Sequence, residues 1–156
     1  MRFYDTTALS DWLAGAFAAC GMAPDAARAG ARVLVRTNAR GVETHGVSRA
    51  LVYVQKLRSG ELAPRPEVRY EDRDGVLHCH AGCGLGQAVA PQVIDEAISR
   101  AGRAGFVPVI IHDVGHLAAI GMFALQAAEA GMIAFIAQST PPIMALPGST
   151  RAAIGN

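Results

Sequence analysis

Apolar residues recur at helical spacing along the first part of the chain, in windows separated by glycine or proline. This period predicts three successive helices, at about 6–20, 24–38 and 45–58. Thr6 or Thr7 is the expected cap of the first helix, Pro24 opens the second, and Gly60 ends the third. No strand pattern interrupts these windows, so we expect a helical segment over residues 1–62.

Beyond Pro64 the pattern changes to short apolar runs and glycine-rich turns. The predicted elements are strands at 68–71 and 76–80, a helix at 87–104, a strand at 106–111, a helix at 117–130 and a strand at 132–137. Two apolar strands that flank a helix are typical of a βαβ unit. We therefore expect an α/β region with a partly parallel sheet over residues 63–156.

Composition narrows the class of protein. With 51% hydrophobic and 17% charged residues, the 156-residue chain has enough apolar side chains for a core. The net charge of +1 and the lack of a basic patch argue against a nucleic-acid partner. No apolar run is long enough for a transmembrane helix or a signal peptide. Three cysteines without framework spacing lead us to expect reduced thiols and a cytoplasmic protein.

A row of polar residues marks the start of the predicted third helix. His45, Arg49 and Tyr53 are four residues apart, which would place an imidazole, a guanidinium and a phenol on one helix face. A guanidinium binds a carboxylate through two parallel hydrogen bonds, and an imidazole beside it can donate to a carbonyl or hydroxyl. The row therefore suggests a site for a small carboxylate. Spacing alone favours the alternative, a solvated helix face with a capping histidine.

A second candidate follows the apolar strand predicted at 106–111. His116 would lie at the end of that strand and beside the N-terminus of the next helix, where ligands bind in open α/β sheets. A neutral imidazole there is suited to general acid and base chemistry near pH 7. The alternative is a structural histidine whose ring is satisfied by hydrogen bonds.

Metal binding is the competing chemistry. His112 and His116 could form a His-x-x-x-His pair in a small metal-binding module, but Gly115 would break a helix through them and a third ligand is unassigned. His78, Cys79, His80 and Cys83 do not have a standard zinc spacing either. We therefore expect no metal site.

Glycines at 82, 84 and 86 are similar to part of a dinucleotide-binding fingerprint. Counted from Gly84, however, the third glycine of that fingerprint would fall on Val89. We interpret the run as a tight turn from strand to helix, with cofactor contact as an alternative.

Several segments resemble one enzyme family. The sequence of residues 40–49, Arg-Gly-Val-Glu-Thr-His-Gly-Val-Ser-Arg, is similar to the Arg-Gly-x-x-Ser-His-Gly-x-x-Arg signature of the type 2 malate/L-lactate dehydrogenase family, with Thr44 in place of serine. That family includes ureidoglycolate and sulfolactate dehydrogenases. Further matches follow in the right order, at 53–66, 84–87, 115–116 and 138–156.

The resemblance implies an activity and roles for individual residues. It implies hydride transfer between NAD or NADP and C2 of a small 2-hydroxy or 2-oxo acid. His116 would exchange the proton of the substrate hydroxyl, Arg49 would bind the carboxylate, and His45 would hydrogen-bond nearby. Tyr53 is a weaker candidate for substrate binding.

The resemblance also implies an architecture. We expect the helical segment to precede part of a three-layer α/β/α mixed sheet that is not a Rossmann fold. Ser139 and Thr140 would contact the nucleotide, and the complete protein would be a homodimer. Members of that family are longer, so we interpret the chain as their N-terminal half. The alternative is a non-catalytic fragment that binds an assembly partner.

Overall fold

The computed structural model of the protein describes residues 3–155. Three helices come first, and strands and two further helices follow within these residues. The order is α1 (Thr6–Ala18), α2 (Pro24–Ala39), α3 (Ala50–Ser59), β1 (Arg69–Arg73), β2 (Val76–Gly84), α4 (Gly86–Ala104), β3 (Val109–Val114), α5 (Gly121–Glu129), β4 (Met144–Ala145) and β5 (Ala152–Ile154). Among these described residues, no helix has both the length and the apolar composition required to cross a membrane.

Helices α1 and α2 form where the apolar period predicts them, but the cap of α1 is different. Asp5 accepts a hydrogen bond from the backbone N–H of Ala8 at 2.8 Å, so Asp5 and not Thr6 or Thr7 caps the helix. A carboxylate at this position also interacts favourably with the positive end of the helix dipole. Gly41, which follows α2, has the left-handed conformation, with φ of 83°.

The third helix is shorter than predicted, since α3 begins at Ala50 and not near His45. Two 3₁₀ turns, Glu43–His45 and Val47–Arg49, replace its first part. Gly46 separates them with φ of −95° and ψ of −139°, outside the helical region. Asn38 lies against this glycine, because a Cβ at position 46 would be 2.5 Å from the Asn38 side-chain oxygen. The same oxygen accepts a hydrogen bond from the N–H of Val47 at 3.2 Å.

The three helices share a core with the start of α4. Its larger members are Leu13, Phe17, Leu34, Tyr53, Leu57, Leu62 and Leu85. Gly30 of α2 allows close packing here, since a Cβ at that position would be 3.2 Å from a methyl carbon of Leu85. This core therefore fixes the position of α3 relative to the first turn of α4.

The main sheet has three strands in the order β1-β2-β3 and is mixed, as predicted. Strands β1 and β2 form an antiparallel hairpin through a turn at Asp74 and Gly75, both with positive φ. Strand β3 runs parallel to β2, with His80 opposite His112. Helix α4 covers one face of this sheet through Val89 and Val93, which pack against Cys79 and Ala81. A mixed α/β fold is thus established.

Strand β3 begins later than predicted, at Val109 instead of Phe106. Pairing with β2 starts at Pro108, whose carbonyl accepts a hydrogen bond from the N–H of Leu77 at 3.0 Å. Proline has no N–H to donate, so a strand interior starting at Phe106 would lack a ladder bond. The shift places His112 within the strand and not after it.

The chain after β3 also departs from the prediction. Helix α5 begins at Gly121 and not at Leu117, and an irregular loop occupies residues 115–120. Ala118 in this loop has φ of 61°, which a helix does not permit. His116 is therefore separated from the helix N-terminus by several residues, and the predicted contact between them is wrong.

Residues 132–143 belong to none of the helices and strands in the described part of the chain, so the strand predicted at 132–137 is not formed. Their side chains alternate in exposure. Ile136 packs against the cluster around Phe123, whereas Ile133 and Phe135 point into solvent. A strand requires a neighbour for its backbone hydrogen bonds, and the sheet within residues 3–155 provides none at this place.

Candidate functional site

Three elements meet at His116. Its ring lies in the loop after β3, Tyr53 reaches it from α3, and Gln87 reaches it from the first turn of α4. The Tyr53 hydroxyl is 2.9 Å from His116 Nδ1. Gln87 Nε2 donates to the Tyr53 hydroxyl at 3.1 Å and to the backbone carbonyl of His116 at 2.7 Å. Tyr53 is 2% exposed and Gln87 is 0% exposed, so this arrangement is held by the core.

His45 and Arg49 lie near the same ring. The His45 and His116 rings stack with their centroids 6.0 Å apart. Arg49 Nε donates to the backbone carbonyl of Thr44 at 3.0 Å, which anchors the guanidinium on the 3₁₀ turn. The structure thus brings His45 and Tyr53 to His116 and leaves Arg49 exposed beside them, although no continuous helix joins the three.

Charge and burial act together on His116. Partial burial of the ring lowers its pKa, and the positive charges of Arg49, His45 and Lys56 lower that pKa further. The imidazole is therefore neutral at neutral pH. This is the protonation state that the sequence predicts, but its cause is desolvation and neighbouring cations, because the helix N-terminus is not adjacent. Burial raises the pKa of Tyr53, so its phenol stays protonated.

A pocket of about 300 Å³ opens beside these groups. Its lining includes Tyr53, Lys56, Leu62, Asp113, Gly115 and His116. The Lys56 ammonium lies at the rim and forms an ion pair with Glu61. Glu61 and Asp113 line the pocket as well, so it has no excess of cationic groups. It offers the neutral imidazole of His116, and the cation available to a small anionic molecule is the exposed Arg49 near that ring.

Sequence reasoning missed Gln87 and Lys56. Gln87 follows the glycines at 84 and 86, and the close approach made by Gly86 was the available signal. A Cβ on Gly86 would be 2.5 Å from the carbonyl oxygen of Gly115 and 2.7 Å from that of His116. The glycine turn thus allows the loop carrying His116 to pack directly on the start of α4.

The other predicted residues lie elsewhere. Ser139 and Thr140 belong to the extended segment after α5 and do not line the pocket at His116. His112 does not pair with His116, since its Nε2 is 2.8 Å from Nδ1 of His78 and its ring stacks on His80 with centroids 4.8 Å apart. Within residues 3–155 no group of three His, Cys, Asp or Glu side chains has a geometry that could hold a metal ion.

Comparisons with known proteins agree with the resemblance. The model of a family described as malate/L-lactate dehydrogenase matches residues 4–156. Ureidoglycolate dehydrogenase (NAD(+)) of Escherichia coli is 35% identical over 123 residues, which are 76% of this chain and 35% of that protein. Malate dehydrogenase of Pyrococcus horikoshii is 35% identical over 124 residues, 78% of this chain and 34% of that protein.

Solved structures agree as well. The structure of Pyrococcus horikoshii malate dehydrogenase matches with a TM-score of 0.77 and 29% identity, over 84% of this chain and 40% of that one. Sulfolactate dehydrogenase from Methanocaldococcus jannaschii has a similar fold, with a TM-score of 0.77 at 21% identity over 82% of this chain and 38% of that one. The chain therefore spans well under half the length of these relatives. It belongs to the malate/L-lactate dehydrogenase family.

Proposed function

We propose that this chain carries the substrate-binding and proton-transfer part of a dehydrogenase that uses NAD or NADP and acts on small 2-hydroxy or 2-oxo carboxylates. The observation that carries the proposal is the neutral imidazole of His116, held by Tyr53 at the edge of a pocket and close to the exposed guanidinium of Arg49.

Substrate binding is assigned to Arg49 and His45. Because Arg49 Nε is used by the Thr44 carbonyl, the two terminal nitrogens of the guanidinium remain for a carboxylate. His45 stacks against His116 and can hydrogen-bond to the same ligand. Relatives with matching sequences are named for ureidoglycolate, malate, 2,3-diketo-L-gulonate and L-sulfolactate, which all carry a carboxylate.

Proton transfer is assigned to His116. The neutral imidazole accepts the proton of the substrate hydroxyl during oxidation, and the protonated ring returns that proton to the oxygen at C2 during reduction. A pKa below the ordinary value keeps the ring uncharged between turnovers. The nicotinamide cofactor, when bound, exchanges the hydride with C2. Orientation of the substrate is the task of the protein.

The nucleotide is assigned to Ser139 and Thr140. Their hydroxyls, together with the backbone of the extended segment, provide neutral hydrogen-bonding groups that suit ribose and phosphate oxygens. One relative is named as NAD(+)-dependent, which favours NAD. We also propose that the complete protein is a homodimer in the cytoplasm. This chain would contain part of its three-layer α/β/α architecture.

A second candidate is a non-catalytic role in assembly. The exposed side chains of Ile133 and Phe135, which lie outside the strands of the described residues, favour it, since a further polypeptide segment could cover them. This candidate predicts that the chain binds a partner but no small carboxylate.

The test is a titration of the 156-residue chain with malate, lactate and pyruvate, in which NMR chemical shifts report binding. We expect binding with shifts at His45 and His116, and Arg49→Lys should weaken it by on the order of 2 kcal/mol, about thirtyfold, because lysine cannot form the paired hydrogen bonds. Arg58→Lys, in the last turn of α3, is the matched control. Absence of binding, or equal loss in both variants, would contradict the carboxylate site.

Turnover provides the second measurement. We expect negligible oxidation of NADH or NADPH by the chain alone with any 2-oxo acid. In a form completed by the remaining part of the relatives, His116→Ala should lower kcat roughly 10²–10⁴-fold. His112→Ala is the control and should have a modest effect, because His112 contacts His78 and His80 instead of the pocket.

A further inference from the structure

Gln87 is a fully buried side chain in direct contact with the candidate site. Its Nε2 is 2.7 Å from the backbone carbonyl oxygen of His116. A carbonyl oxygen only accepts hydrogen bonds, so the nearby atom of the amide must be the nitrogen. The orientation of the Gln87 amide is therefore determined, and the opposite orientation would bring two oxygens together.

The buried oxygen of the same amide confirms that this orientation is imposed. Gln87 Oε1 has no hydrogen-bond partner within residues 3–155, although it is buried. An unpaired buried oxygen is unfavourable and is rare in folded proteins. The amide nonetheless keeps its nitrogen toward His116 and Tyr53, so those two contacts decide its position.

The direction of the next hydrogen bond follows. Gln87 Nε2 donates its second hydrogen to the Tyr53 oxygen at 3.1 Å. Since that oxygen accepts from Gln87, the Tyr53 hydrogen is left to donate to His116 Nδ1 at 2.9 Å. The backbone N–H of Ala118 also donates to Nδ1, at 3.3 Å. Two donors thus point at one nitrogen of the ring.

We propose that Gln87 is a positioning residue that acts through Tyr53 to hold neutral His116 in the tautomer protonated on Nε2. His116 Nε2 has no hydrogen-bond partner in the described part of the chain, so it is the nitrogen left for a ligand. The inference depends on the proposed function only for its consequence in catalysis, because the tautomer follows from the contacts alone.

The catalytic consequence concerns the direction of proton transfer. In the neutral ring Nε2 carries a hydrogen and donates to a ligand oxygen, such as the carbonyl of a 2-oxo acid. To accept a hydroxyl proton, Nε2 must first lose this hydrogen, and the proton on Nδ1 must then face Tyr53. That change requires the Tyr53 hydrogen to turn away from Nδ1, so that the Tyr53 oxygen accepts from Nδ1 as well as from Gln87.

The experiment measures the ¹⁵N signals of the 156-residue chain labelled at histidine, as a function of pH. His116→Gln identifies the signals of His116 by their loss. We expect Nδ1 unprotonated and Nε2 protonated above the titration midpoint. Because histidine in water already favours this tautomer, the deciding comparison is between variants.

Gln87→Glu places an acceptor where the amide donates. We expect the Tyr53 hydrogen to turn to the carboxylate, so that Nδ1 acquires a proton and the midpoint of His116 moves to higher pH. The tautomer ratio should shift at least roughly fivefold, the effect of one hydrogen bond. Gln92→Glu, at an exposed position of α4, adds the same charge and controls for electrostatics, to which His45, Arg49 and Lys56 contribute.

Tyr53→Phe keeps the aromatic ring and removes the hydroxyl through which Gln87 acts on His116. In this background Gln87→Glu should no longer protonate Nδ1, which gives a double-mutant cycle for the coupling. If Gln87→Glu unfolds the chain, Gln87→Met removes the donor without adding charge and should also raise the population with a proton on Nδ1.

Two results would overturn the proposal. One is an equal response of His116 to Gln87→Glu, or to Gln87→Met, and to Gln92→Glu. The other is a response to Gln87→Glu that persists unchanged in the Tyr53→Phe background. Neither result depends on turnover or carboxylate binding, so failure here is distinguishable from failure of the proposed function.

Discussion

Two apolar regions of the chain differ in how far their side chains are buried. Phe17, in α1, is 0% exposed and lies in the core shared by the first three helices and α4. Phe135, in the extended segment after α5, is 94% exposed. Both lie in runs of apolar residues, so hydrophobicity does not explain the difference.

The difference lies in how each kind of element completes its hydrogen bonds. A helix pairs its backbone internally and can bury its apolar side against the next helix in sequence, as α1 does against α2. An extended segment pairs its backbone only with another strand, and none of the strands in the described residues lies beside residues 132–137. Apolar pattern therefore predicts the helical region and its burial, but the strand that it predicts at 132–137 is not formed.

The candidate site is divided in the same way. His45, Tyr53, Gln87 and His116 belong to the packed region and contact one another. Ser139 belongs to the extended region, and its assignment to the nucleotide remains a proposal. The groups proposed for substrate binding and proton transfer are thus built on the core, and those proposed for the nucleotide are not.

The largest expected effect compares the two phenylalanines. Phe17→Ala should reduce the free energy of unfolding by about 3–5 kcal/mol, because it leaves a cavity in the core. Phe135→Ala should change it by less than about 0.5 kcal/mol, since its side chain is in solvent. Urea denaturation measures both free energies of unfolding, and the slope of that free energy against urea concentration should stay unchanged. A large cost for Phe135→Ala would show that the extended segment is packed in solution.

A smaller effect tests the two faces of the extended segment. Ile136 packs against the cluster containing Leu117 and Phe123, and Ile133 does not. Ile136→Ala should cost about 1–2 kcal/mol, less than a fully buried isoleucine, whereas Ile133→Ala should be close to neutral. Thermal unfolding of both variants checks this. Equal values would mean that neither face contacts the core.

The smallest effect concerns single hydrogen bonds in each region. Asp5→Ala removes the cap of α1 and should cost about 1 kcal/mol. Thr6→Ala is the control and should cost much less, because Thr6 does not cap the helix. Ser149→Ala removes a local turn contact to Arg151 and should be nearly neutral, since that turn is exposed. Thermal unfolding at constant pH compares the three.

Local pattern predicted the types of the elements from α1 to α5, but it missed several boundaries and predicted a strand at 132–137 that is not formed. Pro24 and Gly60 marked ends of helices, and the turn at Asp74 and Gly75 marked the hairpin. The start of α3 was missed because the contact between Gly46 and Asn38, which interrupts the helix, joins two separate elements. The start of α5 was missed because Ala118, an ordinary helix former, has a positive φ set by its surroundings.

The sequence by itself determined the family and the mixed α/β class, and it singled out His45, Tyr53 and His116 as candidate site residues, because motifs and periods are local properties. The tertiary structure alone decided that Gln87 connects Tyr53 to His116, and in which direction the hydrogen bonds run. It also decided that burial and nearby cations, instead of a helix N-terminus, lower the pKa of His116. These outcomes depend on contacts between residues far apart in the chain, and no local pattern encodes such contacts.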